Sequence, residues 1–311
     1  MNQSRDHGGR LDAAIATYGG KRGDWLDLST GINPVPYAVA NVSPRAWQTL
    51  PDQDAFDQLY AAARTFWQVP EDAAIIGASG ASAIIAALPH VLPRGKVMVP
   101  GPTYNEHAAA FRAAGWTSGQ DPRHVVVAVH PNNPDGRLWQ SHELNAPFLI
   151  IDESFCDTCP DQSHVALAAR PGTIILKSFG KFWGLAGLRL GFAIGDPDLI
   201  TRLGDLLGPW QVSGPALQIG AAALSDAAWA NQTRGRLTSD AIRLDALITK
   251  AGAQVVGGTS LFRTYQIPDA AELHAHLARH AILSRTFPYA ADWLRLGLPA
   301  PDRWDQLEQA L

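Results

Sequence analysis

The sequence predicts an α/β fold: a mostly parallel central sheet flanked by helices, with a smaller α+β domain beside it. Three observations carry this. Between residues 73 and 194, five short apolar runs recur: Ala73–Ile76, Lys96–Val99, Val125–Val129, Phe148–Ile151 and Thr173–Leu176. Each is too short for a helix and lacks polar alternation, which suits strands buried on both faces of a parallel sheet. Each leads at once into glycine or polar residues, and such sheets bind ligands beyond the carboxyl ends of their strands.

In chain order, residues 1–35 hold His7-Gly8-Gly9-Arg10, a helix over Leu11–Tyr18, a short strand near Trp25–Leu28, and Gly31-Ile32-Asn33-Pro34. The glycine pair lets backbone N–H groups approach an anion, and His7 and Arg10 add charge. Pro51–Trp67 repeats Phe56, Leu59, Tyr60, Ala63 and Trp67 at helical spacing. After the apolar runs, helices are expected over Asp198–Leu207, Pro215–Thr233 and Arg234–Ala251. Strands are expected at Gln254–Val256, Leu261–Tyr265 and Trp293–Gly297, and a helix at Ala270–Arg279. A large domain over 36–232 and a small one made of 1–35 with 233–311 follow from this order.

Composition narrows the function. A net charge of −4 gives nothing to attract nucleic acid or an anionic membrane. No apolar run approaches the ~20 residues that span a bilayer. The N-terminus lacks the apolar core of a signal peptide, so a cytoplasmic location is expected. Cys156 and Cys159 are too few for a disulfide framework. Their spacing, with His164 nearby, allows a redox pair or half a zinc site, yet no second pair exists. Incidental small residues after a strand are the simpler reading, and no metal is expected.

The chemistry concentrates in Ser178-Phe179-Gly180-Lys181-Phe182-Trp183-Gly184-Leu185-Ala186-Gly187-Leu188-Arg189. The chain has five lysines; Lys177 immediately precedes this stretch and Lys181 lies within it, where a strand ends. A lysine in partly apolar surroundings is a nucleophile toward carbonyls. Serine and arginine hold phosphate. Together they suggest a pyridoxal 5'-phosphate site with Lys181 as Schiff-base lysine. The other strand ends fit it. Gly80, Ala81 and Ser82 open a helix whose N–H groups and dipole make an anion site. Tyr104 offers an aromatic face for the pyridine ring. Asn133 can bond the ring hydroxyl, though Asn-Pro-Asp-Gly also makes a plain turn. Asp152 ends an apolar strand, where a carboxylate needs a cationic partner such as a pyridinium.

The segment resembles the S-x-x-K and G-L-x-G-x-R motif of fold-type I pyridoxal-phosphate enzymes, most closely the histidinol-phosphate aminotransferase branch. His7-Gly8-Gly9, followed by Leu28-Ser29 and Ile32-Asn33-Pro34, resembles the opening of the threonine-phosphate decarboxylases within it. The resemblance implies a homodimer that decarboxylates a phosphorylated amino acid for cobalamin biosynthesis. It implies substrate contacts from His7, Gly8, Gly9 and Asn33, and from Arg295 on the late Leu-Arg-x-Gly strand. Arg263 and Arg285 are further anion candidates. Three positions depart from the pattern: Arg10 stands for Asn, Leu50 for the Tyr that reaches the neighbouring subunit's cofactor phosphate, and Phe155 for the aminotransferase Tyr. Cofactor residues alone leave a histidinol-phosphate-type aminotransferase open, and a non-catalytic relative of the same fold.

Overall fold

Residues 7–39, 42–119 and 124–311 are described in the computed structural model of the chain. The first six residues, which include part of the stretch read above for a leader segment, lie outside them. The chain divides into two compact units: Met1–Val35 with Pro134–Gly136 and Thr233–Leu311, and Pro36–Asn133 with Arg137–Gln232.

The N-terminal part of the first unit supplies helix α1 (Leu11–Tyr18) and strand β1 (Leu26–Asp27). The second unit then builds α2 (Pro44–Gln48), α3 (Gln53–Trp67), β2 (Ala74–Ala78), α4 (Ala81–Val91), β3 (Lys96–Met98) and α5 (Asn105–Ala113). It continues with β4 (Thr117–Ser118), β5 (Val125–Val129), β6 (Phe148–Asp152), β7 (Thr173–Ser178), β8 (Gly191–Gly195), α6 (Pro197–Leu207) and α7 (Gly214–Leu224). Among the described residues its strands form one sheet in the order β2-β8-β7-β6-β5-β3-β4. Pairing is parallel from β7 to β4, and β8 is antiparallel to both β7 and β2. One face carries Val125, Val127, Ile150, Ile174 and Leu176 into a core with Ile84 and Leu88 of α4 and Leu199 and Leu203 of α6. Strand alternation sends Lys177 to the opposite face. There α3 is started by Asp52, whose carboxylate accepts from Ala55 N at 3.1 Å, and buries Leu59, Ala63 and Trp67 along one stripe.

The chain returns to the first unit within α8 (Ala227–Lys250), followed by β9 (Gln254–Thr259), β10 (Phe262–Gln266), α9 (Ala270–Arg279), β11 (Ile282–Leu283), β12 (Arg285–Phe287), β13 (Ala290–Gly297) and α10 (Trp304–Gln309). Strands β12-β13-β10-β9 form an antiparallel sheet, while β1 pairs with β11 in parallel. The helix break expected near residue 233 falls instead at Ser225-Asp226, where the Asp226 carboxylate accepts from Trp229 N at 2.9 Å. From there α8 runs unbroken, because Leu237, Ala241, Leu244 and Ile248 keep one buried stripe past residue 233.

Candidate active site

The lysine turn starts where β7 ends. Phe179 N donates to Leu190 O at 3.1 Å, Leu185 N to Phe179 O at 3.2 Å and Gly184 N to Lys181 O at 3.1 Å. Phe179, Phe182 and Trp183 are fully buried around it, so the turn is fixed by packing. Lys181 is half-buried, its Nζ 5.3 Å from the centroid of the buried Phe155 ring. Lys177 is a different kind of lysine. It is buried, with Nζ 2.6 Å from Glu153 Oε2 and 3.9 Å from Asp157 Oδ1. Burial pulls its pKa down, but the two carboxylates outweigh that and push it up. An ammonium held this way is no nucleophile.

Three chain segments converge at the start of α4. Gly80 has φ +82, and a Cβ there would lie 2.5 Å from Arg189 Nη2. A Cβ on Gly191 would lie 2.3 Å from Ala81 N. The missing side chains let the Arg189 guanidinium and the β8 backbone meet the first turn of α4, whose leading N–H groups have no intrahelical acceptor. Ser178 is half-buried nearby in sequence and accepts from Gly180 N at 3.3 Å through Oγ. Ser82 and Arg189 are exposed.

Asp152 is buried at the carboxyl end of β6. Its Oδ2 accepts from His107 Nε2 at 2.7 Å, and its Oδ1 accepts from Ser154 N at 3.0 Å and Ser154 Oγ at 2.5 Å. Burial opposes its ionisation. The hydrogen bond and charge of His107, with the two Ser154 bonds, overcome that and hold the carboxyl below its ordinary range. His107 escaped the sequence reading. Its available signal was position: it follows Tyr104 by three residues, one helical turn, and the two rings meet edge to face at 6.0 Å. Asn132, next to Asn133, pins the turn after β5: it accepts from Thr103 Oγ1 at 2.5 Å and donates to Pro102 O at 3.0 Å.

Gly80, Ala81, Ser82, Tyr104, Asn133, Asp152, Ser178, Lys181 and Arg189 all lie in the second unit, at strand ends or helix starts. The set fits a phosphorylated pyridine aldehyde: an amine for the aldehyde, a buried carboxylate for the ring nitrogen, and a glycine-made opening at a helix N-terminus beside a guanidinium for the phosphate.

His7, Gly8, Gly9, Asn33 and Arg295 lie in the first unit. Two segments distant in sequence, Gly8–Gly9 and the strand of Arg295, meet there on Ser29. Gly9 N donates to Ser29 Oγ at 2.7 Å, and Arg295 Nη2 donates to Ser29 O at 2.5 Å. A Cβ on Gly8 would lie 2.3 Å from Ser29 O. Ser29 Oγ itself donates to Asp27 Oδ1 at 2.6 Å. Arg295 is buried and sits opposite Arg285 across the β12–β13 pair. Asn33 is buried, its Oδ1 accepting from Val35 N at 3.0 Å and Arg236 Nη2 at 2.6 Å. Arg263 is not an anion site. It grips Asp245 in a two-pronged ion pair, with contacts of 2.8 to 3.1 Å, and Tyr265 Oη donates to the same carboxylate at 2.8 Å.

The two cysteines are free thiols. Donor atoms of His130, Glu153 and Cys156 lie within 4.8 Å of one another. Yet both His130 nitrogens are engaged, by Gln162 O at 2.7 Å and Trp139 N at 3.1 Å, and Glu153 faces the Lys177 ammonium. A divalent cation would have to displace these contacts, so the cluster belongs to the core.

The family model described as Aminotransferase class I and II matches residues 116–311. A threonine-phosphate decarboxylase of Pseudomonas aeruginosa is 41% identical over 98% of this chain and 97% of its own. One from Sinorhizobium sp is 40% identical over 95% of this chain and 93% of its own. The structure of a histidinol-phosphate aminotransferase from Sinorhizobium meliloti, in complex with pyridoxal-5'-phosphate, superposes with a TM-score of 0.81 at 16% identity, covering 99% of this chain and 95% of that one. That likeness shows the fold. Among the described residues, no helix is long and apolar enough to cross a membrane.

Proposed function

We propose that this chain, which belongs to the aminotransferase class I and II family, is a pyridoxal-phosphate-dependent decarboxylase of L-threonine O-3-phosphate. The product is (R)-1-amino-2-propanol O-2-phosphate, a linker precursor in cobalamin biosynthesis. The observation that carries the reading is identity of 41% and 40%, over 95% or more of the chain, to two proteins named for this activity.

Bound pyridoxal phosphate supplies the electron sink that takes the pair left when CO2 departs. The rest is the work of the chain. Lys181 Nζ would hold the cofactor covalently and, when free, would supply the proton that Cα takes up in place of CO2. Asp152, kept ionised by His107 and Ser154, holds the ring nitrogen protonated. Asn133 and Tyr104 orient the ring. Gly80, Ala81, Ser82, Ser178 and Arg189 hold the cofactor phosphate. Arg295 grips the substrate carboxylate as a fork, and His7, Gly8, Gly9 and Asn33 the substrate phosphate, with Arg285 adding charge. Gripping both anions would fix the orientation of the substrate about Cα and so decide that the bond to the carboxylate, rather than the Cα–H bond, is the one that breaks.

The assembly is a homodimer. Trp47 at 69% exposure, Leu50 at 64% and Trp210 at 53% leave apolar surface on the second unit for a second copy to cover. The enzyme works in the cytoplasm, where a small phosphorylated amino acid is at hand.

Product analysis tests the reading. With threonine phosphate and no 2-oxoacid, the purified enzyme should release CO2 and aminopropanol phosphate. Amino-group transfer to 2-oxoglutarate, from threonine phosphate or from histidinol phosphate, would make it an aminotransferase instead.

A further inference from the structure

Lys181 sits in a turn without regular secondary structure, and two residues later comes Trp183. Trp183 is fully buried between two parallel rings, Phe179 at 5.2 Å and 12° and Trp229 at 5.3 Å and 13°. Tyr37 and Phe182 meet it edge-on at 6.1 and 5.3 Å. Stacking fixes the tilt of a flat ring better than its slide within the plane. The directional tether is polar: Trp183 Nε1 donates to Asp157 Oδ2 at 3.0 Å. Asp157 is buried and held in turn, its Oδ1 accepting from Trp67 Nε1 at 2.8 Å and lying 3.9 Å from Lys177 Nζ. Lys177 binds Glu153, the residue next to Asp152. One buried network therefore ties the lysine turn to the strand end that carries Asp152.

We propose that Asp157 is the positioning residue of Lys181, acting through its hydrogen bond to the Trp183 indole. The inference rests on Lys181 being the cofactor lysine. Burying a carboxylate with a lysine and two indoles adds little net stability over a packed apolar side chain. What it adds is a fixed point. A slide of Trp183 by about 1 Å would carry Lys181 with it, and misplacement on that scale costs a reaction on the order of a hundredfold.

Two variants separate positioning from general support. Trp183→Phe and Trp67→Phe each keep an aromatic ring, lose the same pyrrole half of the indole and remove one N–H from the same carboxylate, but only Trp183 lies in the lysine turn. Both should lower the thermal midpoint by similar amounts. In the holoenzyme, Trp183→Phe should lower kcat about tenfold or more with KM within about twofold, while Trp67→Phe keeps kcat within about twofold. In the cofactor-free protein, acetylation of Lys181 by an amine-reactive ester, followed by peptide mass spectrometry, should change by about threefold or more in Trp183→Phe only. Equal kcat losses in the two variants, or an unchanged kcat and labelling rate in Trp183→Phe, would overturn the proposal. If Trp183→Phe does not fold, the isosteric Asp157→Asn serves: lowered kcat at constant KM supports the proposal and wild-type kcat defeats it. Lys181→Ala is run alongside. Turnover persisting there refutes the reading of Lys181 itself, a different failure from equal behaviour of the two tryptophan variants.

Discussion

Asp152 is the residue on which the proposed cofactor chemistry turns, and its ionised state is made by neighbours. It is buried, so its charge depends on the His107 and Ser154 hydrogen bonds. A hydrogen bond to a charged group is worth roughly 1.5–3 kcal/mol. His107→Ala should therefore weaken cofactor binding by about tenfold or more and lower the thermal midpoint. Equilibrium dialysis against pyridoxal phosphate and a melting curve check both; an unchanged dissociation constant would mean Ser154 alone suffices. Asp152 and Lys181 were legible in the sequence because each follows a solid apolar run. His107 was not: it meets a partner 45 residues away, and no local pattern marks that pairing. Lys177 shows the converse difficulty. Sequence assigned the Schiff-base role to Lys181 and left Lys177 without one; the neighbours across the sheet, Glu153 and Asp157, show Lys177 to be a buried ion-paired lysine.

Elements that lie between two uniform neighbours read well; elements squeezed by backbone do not. The five apolar runs all became strands, yet β8, which sits between β2 and β7, was missed. It begins and ends in glycine for a reason. A Cβ on Gly191 would lie 2.3 Å from Ala81 N, and one on Gly195 2.0 Å from Thr173 O. Close packing against neighbouring backbone selects residues that look like a loop. The start of α4 obeys the same constraint at Gly80, where φ is +82 and the opening admits Arg189. Gly80→Ala would impose about 1–3 kcal/mol of backbone strain. It would also push the guanidinium aside, since the flexible end of Arg189 is what yields. The fold should survive while affinity for pyridoxal phosphate falls about tenfold, read by absorbance titration. Wild-type affinity in that variant would remove Arg189 and Gly80 from the phosphate site.

At the scale of the whole molecule, chain order and spatial order part company. The candidate cofactor residues come from the second unit and the candidate substrate residues from the first, which is assembled from both ends of the chain. Gly9 and Arg295 meet on Ser29, an arrangement that sequence spacing cannot display. Oligomeric state is harder still to read, because Leu50 stands where the resembling enzymes carry a tyrosine directed at a neighbouring subunit. In this fold Leu50 is 64% exposed and Trp47, on α2, 69% exposed. Helix α2 packs on α7, and Gly214 at the start of α7 leaves no room for a Cβ, which would lie 2.2 Å from Ala46 O. Trp47 is thus held outward by a fixed support, and Leu50 follows two residues beyond the end of that helix. Fully burying a side chain of this size removes roughly 1.5–3 kcal/mol of exposure cost per copy. If a second copy covers them, light scattering should give twice the 33.4 kDa chain mass at micromolar concentration. The double variant Trp47→Glu with Leu50→Glu should then give the single-chain mass while its circular dichroism stays unchanged. A wild-type protein of single-chain mass would end the homodimer proposal, and a double variant that still pairs would move the interface to another surface.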